Sequence, residues 1–225
     1  MEDIKRYAIY YAPRAGSFAD AAASWLGWDP VSGTEVAHPD LATNLPTLTA
    51  EPRKYGFHGT IKPPFRLAEG VDAAAVDAAV SALARTLQPV QMPGLELISL
   101  EGFLALVPAG DVSGLTDLAA QVVERLDPLR APLTEAEIAR RRPERLTLRQ
   151  RELLDQFGYP HVMEEFRFHL TLSGRLTDDQ MAMLRPLALA HFDGLQPEPF
   201  VLEDLCLFGE AADGRFHILN RYPLG

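Results

Sequence analysis

The chain has 225 residues, of which 47% are apolar and 23% charged, and its formal net charge is −10. That composition fits a folded protein of one large domain or two lobes of roughly 100 residues each. The negative balance argues against broad affinity for nucleic-acid backbones, and no apolar run reaches the roughly 18 residues that a membrane-spanning helix needs.

Arg6 to Ala12 is aromatic and β-prone and ends at Pro13, which predicts a strand. The charged stretch before it, Met1 to Arg6, argues against a secretory signal. Cys206 is the only cysteine, expected to be buried and inert, so no disulfide framework forms within the chain. Together these point to the cytoplasm. Ser17 to Leu26 reads as a short helix. Phe57-His58-Gly59-Thr60-Ile61 reads as a strand closed by Pro63-Pro64, because proline cannot continue a central ladder. Val71 to Leu87 carries Val76, Val80, Leu83 and Leu87 on one helical face. Leu95 to Val107 predicts a hairpin about Glu101-Gly102. The stripe of Leu115, Leu118, Ala119, Val122, Val123 and Leu126 predicts another helix.

Two further helices open on capping boxes, Thr134 with Glu137 and Thr147 with Gln150, the second ending near Gly158. Then the order repeats. Phe168-His169-Leu170-Thr171-Leu172 predicts a strand, Thr177 with Gln180 caps a helix containing Pro186, and strand-like runs follow at 199–203, 205–209 and 216–222. Each His motif thus heads a unit of strand, helix and two strands. This predicts an α+β fold, two-lobed, with pseudo-twofold antiparallel sheets around a central cleft. The expected lobes centre on 51–111 and 160–222 within a single domain spanning 1–225, with the N-terminal strand at 6–12 and a helical insert at 112–157 as an appendage or lid.

The two motifs stand 111 residues apart. On a strand, side chains alternate faces, so each His shares a face with its Thr while the flanking Phe and Ile or Leu point into the core. Facing strands would set two imidazoles and two hydroxyls around one small anion. His58 and His169 are the candidate acid and base, without an order between them, and Thr60 and Thr171 the candidate oxyanion donors. Lys62 either holds phosphate or caps a strand end. Arg167 and Arg175 are further phosphate candidates, and Tyr7 and Tyr55 either stack on a sugar or base or fill the core. His38, His161, His191 and His217 lack motif context. From Arg130 to Arg151 seven arginines and three glutamates give +4, leaving −14 elsewhere; this segment is either a solvated face or a local attractor for an anionic substrate. No His-Glu-x-x-His or paired-Cys motif suggests a metal, and no cofactor is expected.

With its two His-x-Thr-aliphatic motifs the chain resembles the 2H phosphoesterase superfamily. Arg53 to Lys62, Met163 to Gly174, the opening Arg6-Tyr7-Ala8 and Leu133 to Arg142 are further similar to a bacterial subfamily described as a phosphonate-metabolism protein of unknown function. Members of that subfamily often stand beside carbon–phosphorus lyase genes, whose pathway yields a ribose 1,2-cyclic phosphate that must be opened. The resemblance implies a metal-independent phosphodiesterase acting on that compound or on a nucleoside 2′,3′-cyclic phosphate. A small phosphorylated sugar or nucleotide is then the partner, not a membrane or a long nucleic acid. A phosphosugar sensor without turnover and an RNA-processing phosphodiesterase or ligase are the alternative readings.

Overall fold

The computed structural model describes residues 4–225. Strand β1 (Tyr7–Tyr11) is buried on both faces, with Tyr7, Ile9 and Tyr11 on one side and Ala8, Tyr10 and Ala12 on the other. Helix α1 (Ser17–Leu26) follows and ends on Gly27 at φ 79°, the left-handed conformation that glycine takes without a Cβ penalty. A short hairpin, β2 (Trp28–Asp29) and β3 (Thr34–Glu35), and two single-turn helices, α2 (Leu45–Leu48) and α3 (Ala50–Arg53), lead to β4 (Gly59–Phe65). Helix α4 (Ala73–Ala84) opens on Asp72, whose side chain accepts from the Ala75 amide. Then come β5 (Val90–Met92) and the hairpin β6 (Leu95–Leu100) and β7 (Phe103–Pro108), which turns at Glu101-Gly102.

Helix α5 (Ser113–Leu126) buries the apolar stripe expected of it. Helices α6 (Glu135–Arg140) and α7 (Leu148–Phe157) both carry complete capping boxes. Strand β8 (Leu170–Thr171) is followed by α8 (Asp178–Phe192), which has the third capping box and continues through Pro186. The chain closes with β9 (Phe200–Leu202), β10 (Asp204–Glu210) and β11 (Phe216–Pro223).

Seven strands make one antiparallel sheet in the order β11-β10-β1-β4-β8-β7-β6, so the fold is α+β. Helices α1, α4, α5 and α8 cover one face and form the main core with it. The two sheets expected from the repeat are halves of this one, and they join at β4 and β8 through a single paired position, Gly59 with Leu170. Each half is assembled across the repeat. Motif strand β8 lies beside the β6–β7 hairpin of the first unit, and β4, through β1, beside the β10–β11 hairpin of the second. Each unit also holds a third short strand: β5 and β9 pair with each other outside the main sheet.

Two expectations need correction. Pro63-Pro64 does not end β4, which runs on to Phe65. Beyond Gly59 the β8 side of β4 has no ladder partner, and the β1 side is bulged there, so the missing proline N–H groups leave no bond unmade. Nor is the whole segment 112–157 an appendage. Helix α5 belongs to the main core, and only α6, α7 and their connections stand outside it.

Candidate active site

The seam between the half-sheets carries both motifs. Each His is the last residue before its strand, and each Thr follows one residue into it. Because Gly59 pairs with Leu170 in antiparallel register, His58 faces Thr171 and Thr60 faces His169 across the seam. The intervening Phe57, Ile61, Phe168, Leu170 and Leu172 are all in the core, as strand alternation predicts. A Cβ on Gly59 would lie 2.2 Å from Phe168 Cζ. Only glycine lets the two strands approach this closely above that ring.

Both imidazoles are held by the same device. His58 Nδ1 sits 2.9 Å from the Gly56 carbonyl and His169 Nδ1 sits 2.8 Å from the Arg167 carbonyl. A carbonyl only accepts, so each Nδ1 is the protonated nitrogen and each Nε2 is left for chemistry. The surroundings then differ. The His58 ring stacks on Tyr10 at a centroid distance of 4.1 Å, with Tyr55 at 5.5 Å. Desolvation there pushes its pKa down to about 4; the Gly56 hydrogen bond opposes this and the His169 charge adds to it. The ring nearest His169 is Phe103, at 5.7 Å.

His58, Thr60, His169 and Thr171 line one cavity of about 610 Å3, within the range that holds a small ligand. Tyr10, Tyr55, Phe103, Tyr159 and Ser173 complete its inner wall, and Arg140 and Arg141 at the end of α6 stand on its rim. A smaller cavity of about 380 Å3 shares Thr60, His169, Phe103 and Tyr159 with it and extends to Arg167, His161 and Glu165.

The substrate-binding candidates are therefore divided. Tyr55 and Arg175 line the larger cavity and Arg167 the smaller one. Tyr7 and Lys62 line neither. Tyr7 points into the helix-covered core. Lys62 is 1% exposed; its ammonium donates to the Val123 carbonyl at 3.2 Å and pairs with Asp127 at 3.4 Å. Its separation from Thr60 has a specific cause. Thr60 pairs with Tyr10 but Lys62 with Ile9, so a bulge between them breaks the period-2 alternation and turns Lys62 to the helix side. Burial lowers the Lys62 pKa to about 8 against the pull of Asp127.

Of the histidines without a motif, His38 and His191 bond the Trp25 and Ala21 carbonyls, and His217 packs edge-on to Trp28. Cys206 is fully buried, and burial pushes its thiol up to about 12. Tyr10, Tyr159, Phe103 and Ser173 were not singled out from the sequence. Only Tyr10 had a signal there, its place on a strand that reads as aromatic and β-prone. Among the described residues, no group of three or more His, Cys, Asp or Glu is placed to hold a metal ion, and no helix is long and apolar enough to cross a membrane.

A family model described as a protein of unknown function (DUF1045) matches residues 60–217. Among curated proteins, the chain is similar to the ribose 1,5-bisphosphate phosphokinase PhnN of Janthinobacterium sp. (strain Marseille), 38% identical over 199 residues, covering 85% of this chain and 44% of that protein. It is also similar to the protein of the same name from Laribacter hongkongensis (strain HLHK9), 37% identical over 214 residues, covering 93% and 49%. The chain thus spans about half the length of the curated relatives it matches. Among solved structures it is similar to E. coli LigT complexed with 3′-AMP, with a TM-score of 0.44, 15% identity and 99% coverage of each chain. TT0787 of Thermus thermophilus gives a TM-score of 0.43 at 15% identity and 97% coverage of each.

Proposed function

We propose that this chain, which belongs to the DUF1045 family of proteins of unknown function, is a metal-independent phosphodiesterase of the 2H type that opens a small cyclic phosphate on ribose. One observation carries the reading: two His-x-Thr motifs meet at one seam, each imidazole tethered through Nδ1 to the carbonyl two residues back, and all four side chains line one cavity.

A five-membered cyclic phosphodiester needs a base for the attacking water, an acid for the departing sugar oxygen, and donors for the non-bridging oxygens. His58, neutral at physiological pH, is the base: its Nε2 takes a proton as the water oxygen bonds to phosphorus. The bond from phosphorus to the sugar oxygen breaks, and His169 Nε2 protonates that oxygen. Water's hydroxide ends on phosphorus, giving a phosphate monoester and a free sugar hydroxyl. The proton on His58 and the one missing from His169 then exchange with solvent. Thr60 and Thr171 donate to the oxygens on which charge accumulates.

The substrate is ribose 1,2-cyclic phosphate or a nucleoside 2′,3′-cyclic phosphate, and the relatives favour the first. Opening the 1,2-cyclic phosphate of a 5-phosphorylated ribose at its O2 bond leaves ribose 1,5-bisphosphate. That compound is the one in the name of the curated relatives, which are about twice this chain's length. A diesterase segment and a kinase segment in one polypeptide would act in succession on one sugar.

The test is a panel of ribose 1,2-cyclic, ribose 5-phosphate 1,2-cyclic and nucleoside 2′,3′-cyclic phosphates, assayed in EDTA with wild type, His58→Ala and His169→Ala. At least one should be opened by wild type, with each variant slower by roughly 10²–10⁴-fold. Absence of turnover across the panel, or an equally active variant, would sink the proposal. Turnover lost in EDTA and restored by one metal ion would move it to metal-assisted hydrolysis.

A further inference from the structure

The cavity holds more positive charge than one cyclic phosphate uses. Of the cations on its wall, Arg6 is paired with Glu210 at 2.5 Å. Lys54, Arg140, Arg141 and Arg175 also line it, and none has an ion-pair partner among the described residues. Of the lining carboxylates, Glu137 is clamped by Arg66 at 2.9 Å, leaving Glu51 alone to oppose those four. In a chain of net charge −10, this concentrates an attractive field where the substrate enters. A cyclic phosphodiester carries one negative charge; a phosphate monoester carries close to two at neutral pH.

We propose that Arg140 and Arg141, supported by Lys54 and Arg175, form a second anion subsite that takes a phosphate monoester on the far end of the same substrate. The preferred substrate is then a cyclic sugar phosphate that is already phosphorylated elsewhere. This rests on the cyclic phosphodiesterase reading above.

The subsite is built into the fold. Arg66, just past the end of β4, donates to both oxygens of Glu137 and to the Pro132 carbonyl, and its own carbonyl accepts from the Ala131 amide. The same Glu137 closes the capping box of α6. One carboxylate therefore starts the helix and fixes it to the strand bearing Thr60, and its pKa is held down to about 2, first by Arg66. The far end of that short helix then delivers Arg140 and Arg141 to the rim. Arg141 is half-buried with its guanidinium 4.7 Å from the centre of the Tyr159 ring, and Tyr159 itself lines the cavity. A guanidinium stacked this way keeps its edge free for two parallel hydrogen bonds to phosphate oxygens and loses little freedom on binding.

Two measurements test it. In turnover, wild type should open ribose 5-phosphate 1,2-cyclic phosphate with at least a tenfold higher kcat/KM than ribose 1,2-cyclic phosphate, mostly through KM, and Arg140→Gln/Arg141→Gln should bring that ratio towards one. In calorimetric binding, which needs no turnover, ribose 1,5-bisphosphate should bind wild type at least tenfold more tightly than ribose 1-phosphate, which lacks only the far-end phosphate, with the gap closing in the double variant. Arg140→Gln alone, at an exposed position, should close part of it without changing the thermal midpoint. A binding gap that the double variant closes supports the subsite even where no panel member turns over, in which case the diesterase reading fails by itself. Equal binding of the two ligands by wild type, or a gap that survives the double variant, overturns the subsite even with turnover intact.

Discussion

At the scale of single residues, His58 and Gly59 do most to define the site. A neutral His58 ties stability to pH. Its folded pKa of about 4 lies below the unfolded value near 6.5. Between those values the unfolded chain binds more protons than the folded one, so stability rises with pH across that window and levels off above it. After allowance for the ring's partial exposure, about 1–3 kcal/mol is at stake. Urea titrations from pH 4 to 7 should show this slope in wild type and a flatter one in His58→Phe; parallel slopes would mean that His58 is not desolvated. Gly59→Ala probes the close approach at the seam. Its methyl would collide with the ring of Phe168, which is packed near Tyr11 and Phe200 and adjoins His169. The expected cost is about 1–3 kcal/mol in denaturant melts. A rate loss on the order of 10²-fold on the best cyclic phosphate should accompany it, because His169 moves with the ring. A Gly59→Ala protein with native rate and stability would contradict this geometry.

At the scale of elements, what was legible from sequence followed from local chemistry. Three capping boxes, a helical stripe and the glycine turn at Glu101-Gly102 each rest on side chains within a few positions of one another, and each formed where expected. The motif strands were legible through alternation up to Thr60. They ceased to be legible at Lys62, because a bulge depends on the partner strand and has no local signature here. Strand β9 lies inside the strand-like run 199–203, whereas its partner β5, three residues stabilised mainly by that pairing, left no pattern long enough to read. The displaced Lys62 has become a structural group. Its ammonium shares Asp127 with Arg130, which approaches to 2.8 Å. Asp127→Ala would leave two cations facing each other at the end of α5 and should cost about 2–4 kcal/mol by chemical denaturation. Adding Lys62→Met should recover most of that loss, since a buried ion pair is often replaceable by an apolar group. No recovery would show that Lys62 matters for something other than its charge balance.

At the scale of the whole molecule, the internal repeat was legible as an order of elements, and so was the meeting of its two motifs. The route by which they meet was not, because sheet order is decided by long-range pairing. The repeat predicts two units each folding on its own hairpin. Instead the hairpins are exchanged, α4 packs on β10 and β11, and α8 packs on β7. The arginine-rich segment posed the same difficulty. Its composition is consistent with either a solvated face or a substrate wall, and only the Arg66–Glu137 clamp turns one end of α6 towards the cavity.

The exchanged hairpins make the two halves of the chain mutually dependent. A polypeptide ending near Gly158 would contain β4 and its own hairpin but lack β8, the strand that joins them, and would have no β10 to cover the outer edge of β1. The remaining piece, 159–225, would leave the apolar side of α8 without the strand it packs on. Produced separately, both pieces should be largely unfolded by circular dichroism and inactive; mixed or co-expressed, they should associate and regain activity together, in a single concentration-dependent step. Independent folding of either piece would contradict the exchange. A broken or prematurely ended chain therefore never presents half of the cavity wall: the two imidazoles come together only once strands from both halves of the chain have joined one sheet.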